Sequence, residues 1–467
     1  MDKFREECGV FGIYGHTEAA NLTYLGLYAL QHRGQESVGI AASDGEHLQL
    51  HKAMGYVADN FNEATFARLA GPSAIGHVRY STAGASGIKN AQPILIDCAH
   101  GEIAIGHNGN LVNAQELRDQ LVAQGSIFQT TSDTEVLLHL YARSKAGTIE
   151  DALIESVSQA QGAFSLVLLT KDHLIAVRDP HGFRPLTLGK LGDAYVVCSE
   201  TCALDLIAAT WIRDIEPGEM LVIGPDGPKS IRPFPPAPSA HCIFEHVYFA
   251  RPDSYVFGQS VNEVRTEFGR RLALEQPALV DVVVPIPDSG VCAATGFAEA
   301  SGLPLKMGLI RNHYVGRTFI MPTAGQRSEG ADMKLAVVPG VVRGKSIIVI
   351  DDSLIRGTTS RRRVHSLREA GAKEIHLRIS CPPTRHPCYF GIDFPSRSEL
   401  VAADNSIEEI RKFIGADSLA YLSLDGLRAS VEHPTDYCNG CFTGVYPYQI
   451  TGERSKRALE VVSETTI

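Results

Sequence analysis

No apolar run in the 467 residues approaches the roughly 20 that a membrane-spanning helix needs, which excludes an integral helical membrane protein. Positive charge is also in short supply. Lys and Arg number 43 against 53 Asp and Glu, a formal net charge of −10, and a general nucleic-acid coat needs the opposite balance. The opening MDKFREE is charged almost throughout and has no apolar stretch of the kind a signal peptide carries. The 10 cysteines are scattered rather than crowded into a short disulfide scaffold, so the expected location is the reducing cytoplasm. There, clustered cysteines serve as metal ligands or nucleophiles. What remains is an ordinary globular composition, 44% hydrophobic and 21% charged, which rules out a disordered chain. The length predicts two to four domains at about 100–200 residues each.

The total charge hides an asymmetry. Residues 1–239 hold 17 Lys and Arg against 27 Asp and Glu, whereas residues 240–467 hold 26 of each. Within the second part, the tract from Lys306 to Arg363 carries 11 basic and 4 acidic residues, which fits a solvated basic face or a site for a small polyanion. The division falls at Pro225–Pro238 (PDGPKSIRPFPPAP), a Pro-rich stretch without apolar period that predicts an extended linker. Before it, short strands at 9–15, 37–43, 74–81 and 164–170 and helical patterns near 113–124 and 132–146 suggest a layered α+β domain. After it, DVVVPIP (281–287) and KSIIVIDD (345–352) are continuous apolar strands of the buried parallel type. A helix from Thr359 to Ala370 and a strand EIHLRIS (374–380) complete a βαβ unit, so the second domain is expected to be doubly wound α/β. The polar stretch from Thr451 to Ile467 predicts a frayed tail.

The most specific chemistry lies in Ile347–Thr359 (IIVIDDSLIRGTT). A buried strand delivers Asp351 and Asp352 at its carboxyl end, and a Ser/Gly/Thr loop then opens a helix. Free N–H groups at that helix start, with the hydroxyls of Ser353, Thr358 and Thr359, can cradle a phosphate. Paired carboxylates beside it suit vicinal ribose hydroxyls and a Mg²⁺. The segment resembles the phosphoribosyl-pyrophosphate (PRPP) signature of type I phosphoribosyltransferases. That resemblance implies that Asp351 and Asp352 hold the ribose and Mg²⁺ and that the loop Ser353–Thr359, with Arg356 and Gly357, holds the 5-phosphate. It assigns the turn Asp288, Ser289 and Gly290 to pyrophosphate, with Ser289 as a further Mg²⁺ contact. The Gly-hinged stretch 311–320 then reads as a lid whose Arg311, His313 and Arg317 close over pyrophosphate. Lys334 lies in the same basic tract.

Cys8 opens the first predicted strand, with Gly9 beside it. The segments Gln31–Ser37, His77–Thr82, His107–Leu111 and Thr131–Glu135 contain the residue types that bind an amino acid and stabilise an oxyanion. This combination resembles the class II glutamine amidotransferases, whose nucleophile is an amino-terminal cysteine. The resemblance implies that residues 1–7 are a propeptide and that the α-amino group freed at Cys8 acts as the base for its own thiol. It implies an oxyanion hole of the Asn108 side chain and the Gly109 N–H. Arg79 would pair with the α-carboxylate of glutamine, Asp133 would take its α-ammonium, and Thr82 lies beside them. Arg33 would help to position the catalytic terminus.

Cys438 and Cys441 form a C-x₂-C pair, and Cys242 and Cys388 lie in distant segments. Four such residues can hold Zn²⁺ or an iron–sulfur cluster, and spacing alone does not choose. The two domains in this order resemble the glutamine–PRPP amidotransferases, one branch of which carries a [4Fe–4S] cluster on cysteines in these settings. By that resemblance Cys242, Cys388, Cys438 and Cys441 are ligands of one cluster per subunit, with one Mg²⁺ per subunit at the PRPP site. Cys98, Cys198, Cys202, Cys292 and Cys381 are left as buried thiols.

The full expectation is a four-layer α+β amino-terminal-nucleophile domain over 8–236 after the propeptide 1–7. A doubly wound phosphoribosyltransferase domain follows over 240–447, with a tail over 448–467. The family resemblance implies conversion of glutamine, PRPP and water to 5-phosphoribosylamine, glutamate and diphosphate, the first step of purine synthesis. It also implies a cytoplasmic homotetramer inhibited by purine nucleotides, without nucleic-acid or membrane partners. Two alternatives are a sugar-phosphate amidotransferase, which has no use for the Asp351–Thr359 segment, and a nucleotide-sensing regulator, which has no use for Cys8, Arg79 and Asp133.

Overall fold

A computed structural model describes residues 8–80, 87–312, 335–392 and 397–449. The amino-terminal half is built on thirteen strands: β1 (Gly9–Tyr14), β2 (Ser37–Ser43), β3 (Leu48–Met54), β4 (Ser73–Arg79), β5 (Ile94–Cys98), β6 (Gly101–Leu111), β7 (Gly162–Leu169), β8 (Leu174–Arg178), β9 (Thr187–Leu191), β10 (Ala194–Cys198), β11 (Thr210–Asp214), β12 (Met220–Gly224) and β13 (Gly227–Ile231). They form two antiparallel sheets, one in the order β11-β9-β10-β1-β4-β2-β3 and the other β13-β12-β8-β7-β6-β5. Strand β1 shows why both faces of a sheet are covered. Val10 joins a core with Ile75, Ala104, Val167 and Leu221, drawn from both sheets. Its neighbours Phe11 and Ile13 point the other way, onto a core with Ala20 and Leu27 of the helix Ala19–Ala29. The period of two along a strand sends alternate side chains to opposite faces. A third core packs Leu137, Leu138 and Leu153 of the helices Glu135–Arg143 and Ile149–Val157 on Ile103, Ile105 and Phe164. The result is helix, sheet, sheet, helix, the four-layer α+β arrangement.

The stretch expected to be an extended linker from Pro225 to Pro238 is a hairpin in its first part. Gly227–Ile231 pairs antiparallel with Met220–Gly224, around a Pro-Asp turn followed by Gly227 at φ +88°. Pro228 lacks an N–H to donate, and its strand is tolerated because it lies at the edge of the sheet. Only the part from Arg232 onward runs without an assigned element until His241.

The carboxy-terminal half carries a parallel sheet of Val282–Pro285, Ser346–Asp351, Glu374–Ile379 and Ser418–Tyr421. Helices Val261–Glu275, Val291–Ser301, Thr358–Glu369 and Ile407–Ile414 accompany it. The helix Ile407–Ile414 is fixed at its start by a reciprocal Ser406–Glu409 capping box. One continuous core, including Phe268, Phe297, Ile348, Ile350 and Leu377, fills this half. The strand that ends in Asp351 lies inside the sheet, so its carboxyl end opens where a ligand binds in folds of this kind.

Candidate active sites

The first site gathers at the start of β1. Cys8 is buried, and its Sγ lies 3.5 Å from the Tyr80 carbonyl oxygen. Gly9 and Val10 pair with Val78 and His77 on β4. The His77 ring reaches across to β6, where its Nε2 donates to the His107 carbonyl at 2.9 Å. That contact brings the start of β1 and the Asn108–Gly109 segment to one end of the two sheets. The His77 ring is fully buried, and burial, aided by Arg79 and His107, pushes it down to about 3, so it is neutral. Asn108 is buried, and among the described residues its side-chain Nδ2 has no hydrogen-bond partner. A buried amide left open in this way is costly unless a ligand takes it. Gly109 stands at φ +149°, and a Cβ there would lie 2.0 Å from the Ala163 carbonyl oxygen. No other residue fits.

Arg79 ends β4, buried, with Nη1 3.7 Å from Glu36 Oε2. Asp133 accepts the Leu111 N–H at 2.9 Å and lies 3.8 Å from His107 Nδ1, which places its carboxylate just past the Asn108–Gly109 corner. Thr82 lies outside the described residues. Arg33 donates from Nε to the Cys8 carbonyl at 3.1 Å. Its two remaining nitrogens are held by carboxylates that sequence reasoning did not single out. Glu200 receives Nη1 at 2.5 Å, and Glu245 receives Nη1 at 3.0 Å and Nη2 at 2.7 Å. Burial would raise the Glu200 carboxyl, but His32 and Arg33 outweigh it and hold it well below the usual carboxylate range.

The second site is a small polar cavity at the end of Ser346–Asp351. Asp351, Asp352, Ser353, Gly357 and Thr359 line it. Gly357 caps the helix Thr358–Glu369 at φ +78°, a left-handed turn that lets the loop fold back onto the start of the helix. Asp351 pairs with Arg363 at 2.8 Å, and Asp352 accepts the Ser353 hydroxyl. Arg363 also lines the cavity and was missed by sequence reasoning. It sits four residues after Thr359, on the same helix face, and that spacing could have found it.

The Pro287–Asp288 peptide is cis. Ser289 Oγ is buried without a partner among the described residues, a second polar atom open to a ligand. Gly290 N–H is taken by the Ile286 carbonyl at 2.9 Å, so it is not free for pyrophosphate as it stands. Arg311 pairs with Asp288 at 2.6 Å. Arg356 pairs with Glu399 at 2.6 Å, both at the surface, rather than lining the cavity. His313, Arg317 and Lys334 lie outside the described residues.

Three comparisons bear on these sites. The family described as a glutamine amidotransferase domain matches residues 77–206, which include Arg79, Asn108, Gly109 and Asp133. The amidophosphoribosyltransferase of Bacillus subtilis (strain 168) is 51% identical over 451 residues, 95% of each chain. The chloroplastic amidophosphoribosyltransferase 1 of Arabidopsis thaliana is 53% identical over 459 residues, 98% of this chain and 81% of its own. The chain belongs to the amidophosphoribosyltransferase family. Solved structures agree. One described as the allosteric regulatory enzyme of purine biosynthesis superposes with a TM-score of 0.93 at 48% identity, covering 98% of this chain and 100% of its own. The glutamine PRPP amidotransferase from B. subtilis, complexed with ADP and GMP, gives 0.92 at 49% identity, covering 97% and 100%. The fold is that of a glutamine amidotransferase half joined to a phosphoribosyltransferase half. The chain is accordingly an enzyme, a glutamine-dependent pentosyltransferase of the opening step of purine biosynthesis, and the sensor reading is not favoured.

None of the ten cysteines of this family member is in a disulfide. His241–Cys242 pairs in parallel with Tyr437–Cys438, which sets Cys242 beside Cys438. Cys441 is buried, and its thiol is pushed well above the usual value by burial and by Cys438, Cys388 and Cys242 around it, with Cys381 next. Burial pushes the Cys438 thiol up to about 12, with Cys388 adding to it. Four cysteines from three distant segments thus converge. Among the described residues, however, no group of three or more His, Cys, Asp or Glu is disposed to hold a metal ion. Of the remaining thiols, Cys198, Cys202, Cys292 and Cys381 are buried as expected, but Cys98 is half-exposed because it ends β5 at the sheet edge.

Proposed function

We propose that residues 1–7 are removed and that Cys8, as the new amino terminus, carries out glutamine hydrolysis in a domain spanning 8–236. Its α-amino group takes the thiol proton, and the thiolate attacks the side-chain amide carbon of glutamine. The oxyanion is received by Asn108 Nδ2 and the Gly109 N–H. Collapse of the tetrahedral adduct, with the Cys8 α-ammonium returning its proton to the leaving nitrogen, breaks the C–N bond and releases ammonia, and water then cleaves the glutamyl thioester to glutamate. Arg79 holds the α-carboxylate through a planar fork that lysine lacks, and Asp133 holds the α-ammonium. The observation that carries this reading is the buried Asn108 amide with no partner among the described residues.

In the second domain, spanning 240–447 ahead of a tail over 448–467, ammonia attacks C1 of PRPP and diphosphate leaves, giving 5-phosphoribosylamine. Ammonia in bulk water near neutral pH is mostly protonated and unreactive, so transfer between the sites has to stay inside the protein. Asp351 and Asp352 orient the ribose hydroxyls, and the loop Ser353–Thr359 binds the 5-phosphate. Arg311 and the 287–290 turn face the diphosphate. Asp351, Asp352 and Ser289 Oγ, the last without a partner among the described residues, are hard oxygen donors suited to Mg²⁺, which would neutralise charge on the diphosphate. Purine nucleotides, with the same phosphate and ribose, compete for this cavity.

Cys242, Cys388, Cys438 and Cys441 suit a [4Fe–4S] cluster as an all-thiolate donor set. Burial raises the Cys438 and Cys441 thiols, and a cationic group bound there would stabilise their deprotonated forms. Phe390, Tyr389 and Tyr446 pack around Cys388 and Cys438 and limit water access. Ten cysteines without a disulfide support a cytoplasmic location, and the assembly is a homotetramer, to be tested by light scattering. No helix among the described residues is long and apolar enough to cross a membrane.

The deciding experiment is Cys8→Ala. It should lose glutamine-dependent turnover and keep ammonia-dependent synthesis, and retained glutamine turnover would remove the nucleophile. Mass analysis of the mature amino terminus should give Cys8 as residue one. Iron analysis with a broad visible absorbance tests the cluster, and one equivalent of zinc without it would sink that assignment.

A further inference from the structure

Two contacts run from the carboxy-terminal half into the glutamine site, and the mechanism above uses neither. The first is Glu245. It opens a helical turn, Glu245–Phe249, whose neighbours Phe244, Val247 and Phe249 are rooted in the core of the carboxy-terminal half. Its carboxylate grips both terminal nitrogens of Arg33, at 2.7 and 3.0 Å, and the same Arg33 donates Nε to the Cys8 carbonyl. The Arg33, Glu200 and Glu245 side chains are all fully buried. In such a setting a guanidinium fork cannot swing without breaking charged hydrogen bonds, so Glu245 sets where Arg33 points.

The second contact is the loop after Cys388. Its Tyr389 carbonyl accepts from Asn110 Nδ2 at 2.9 Å. Its Phe390 carbonyl accepts from Arg184 Nε at 3.1 Å and Nη2 at 2.6 Å, and the Phe390 ring stacks on Phe183 at 4.3 Å and 18°. Gly391, at φ +106°, lies so close to β6 that a Cβ there would sit 3.1 Å from Gly109 Cα and carbonyl carbon. Arg184 also reaches Glu245 at 3.4 Å, which joins the two contacts into one buried network.

We propose that the carboxy-terminal half completes the glutamine site, with Glu245 positioning Cys8 through Arg33 and the Tyr389–Gly391 loop positioning the Asn108–Gly109 oxyanion hole through Asn110 and Arg184. These are positioning residues, since none of them touches the reacting atoms. The inference rests on the reading of Cys8 as nucleophile.

The test uses the full-length holoenzyme with the substitutions Glu245→Gln, Glu245→Asp and Asn110→Ala. A displaced nucleophile or oxyanion hole costs about 100-fold per ångström, so Glu245→Gln should lower kcat for glutamine hydrolysis roughly 10- to 100-fold. The KM for glutamine and ammonia-dependent synthesis should each stay within about twofold, and the visible absorbance of the holoenzyme should be unchanged. Glu245→Asp should recover part of the loss. Asn110→Ala, which leaves every buried charge in place, should show the same split between kcat and KM, and it decides the matter if Glu245→Gln fails to fold. Unchanged glutamine kcat in a folded variant overturns the proposal. A parallel fall in both activities does so too, because that is the signature of a merely structural joint. Cys8→Ala that still hydrolyses glutamine would instead refute the nucleophile reading and leave the interface contacts to be explained otherwise.

Discussion

Replacing Asn108 by Ala separates catalytic from structural purpose at the proposed oxyanion hole. The Asn108 Nδ2 is buried with no acceptor among the described residues, so in the resting protein it carries the penalty of an unmade hydrogen bond, about 1–3 kcal/mol. Deleting the amide removes that penalty and leaves a small cavity whose cost is of similar size and opposite sign. The net change in folding stability should therefore be within about 1 kcal/mol, a shift in Tm of roughly 2–4 °C or less for a domain of 150–250 residues. Catalysis should respond very differently. A donor aimed at a developing oxyanion is worth about 2.7–4 kcal/mol, or 10²–10³ in kcat. The assay pairs glutamate release at saturating glutamine and PRPP with a thermal melt and with ammonia-dependent synthesis, which should be unaffected. A fall in Tm of about 10 °C together with loss of both activities would refute the reasoning, since it would make Asn108 a structural residue. So would a kcat reduced by less than about fivefold.

Arg79→Lys should lower kcat/KM for glutamine by about 10- to 100-fold, chiefly through KM, because a point charge replaces a two-pronged fork; steady-state kinetics with glutamine varied will show it. Gly357→Ala places a β-carbon at φ +78°, 3.3 Å from the Phe413 ring, and the left-handed strain is about 1–2 kcal/mol. It should raise the KM for PRPP several-fold while glutamine hydrolysis continues. The His77 ring is held down at about 3 in the fold by burial, below the ~6.5 of an unfolded histidine. Its contribution to stability is therefore complete above pH ~6.5 and is lost as pH falls toward 3, by about 1.4 kcal/mol per unit. Urea unfolding at pH 7 and pH 5 should show a smaller acid loss in His77→Gln than in the parent, by up to about 2 kcal/mol.

The parts of this protein that were legible in its sequence are those whose chemistry is contiguous. The Ile347–Thr359 segment encodes its own strand, its acidic end and its helix start, and the structure places Asp351, Asp352, Ser353 and Thr359 around one cavity. Asn108 and Gly109 are neighbours, and so need no long-range information to be paired. The partners that hold these groups were not legible. Glu200 and Glu245 stand 167 and 212 residues from Arg33, and neither lies in a pattern that distinguishes it from a surface acid. Gly227–Ile231 was missed for a different reason. Its proline argues against a strand, and only its position at the sheet edge, a tertiary fact, makes it one.

The same consideration explains why charge is added to the apolar contact of Phe390 on Phe183 where the two halves meet. An apolar joint between the halves would stabilise them at least as well, since a buried ion pair contributes little net stability over a hydrophobic replacement. Apolar surfaces can slide, however, whereas charge-assisted hydrogen bonds fix direction as well as distance. The network sets Arg33 and Arg184 against Glu200 and Glu245, all fully buried. Its charges therefore balance, and the −10 of the chain lies outside it. One end of this network touches the Cys8 carbonyl and the other holds the loop that follows Cys388. A shift of the carboxy-terminal half therefore cannot leave the Arg33–Cys8 contact unmoved, and in the proposed function that contact would tie glutamine hydrolysis to the state of the acceptor site.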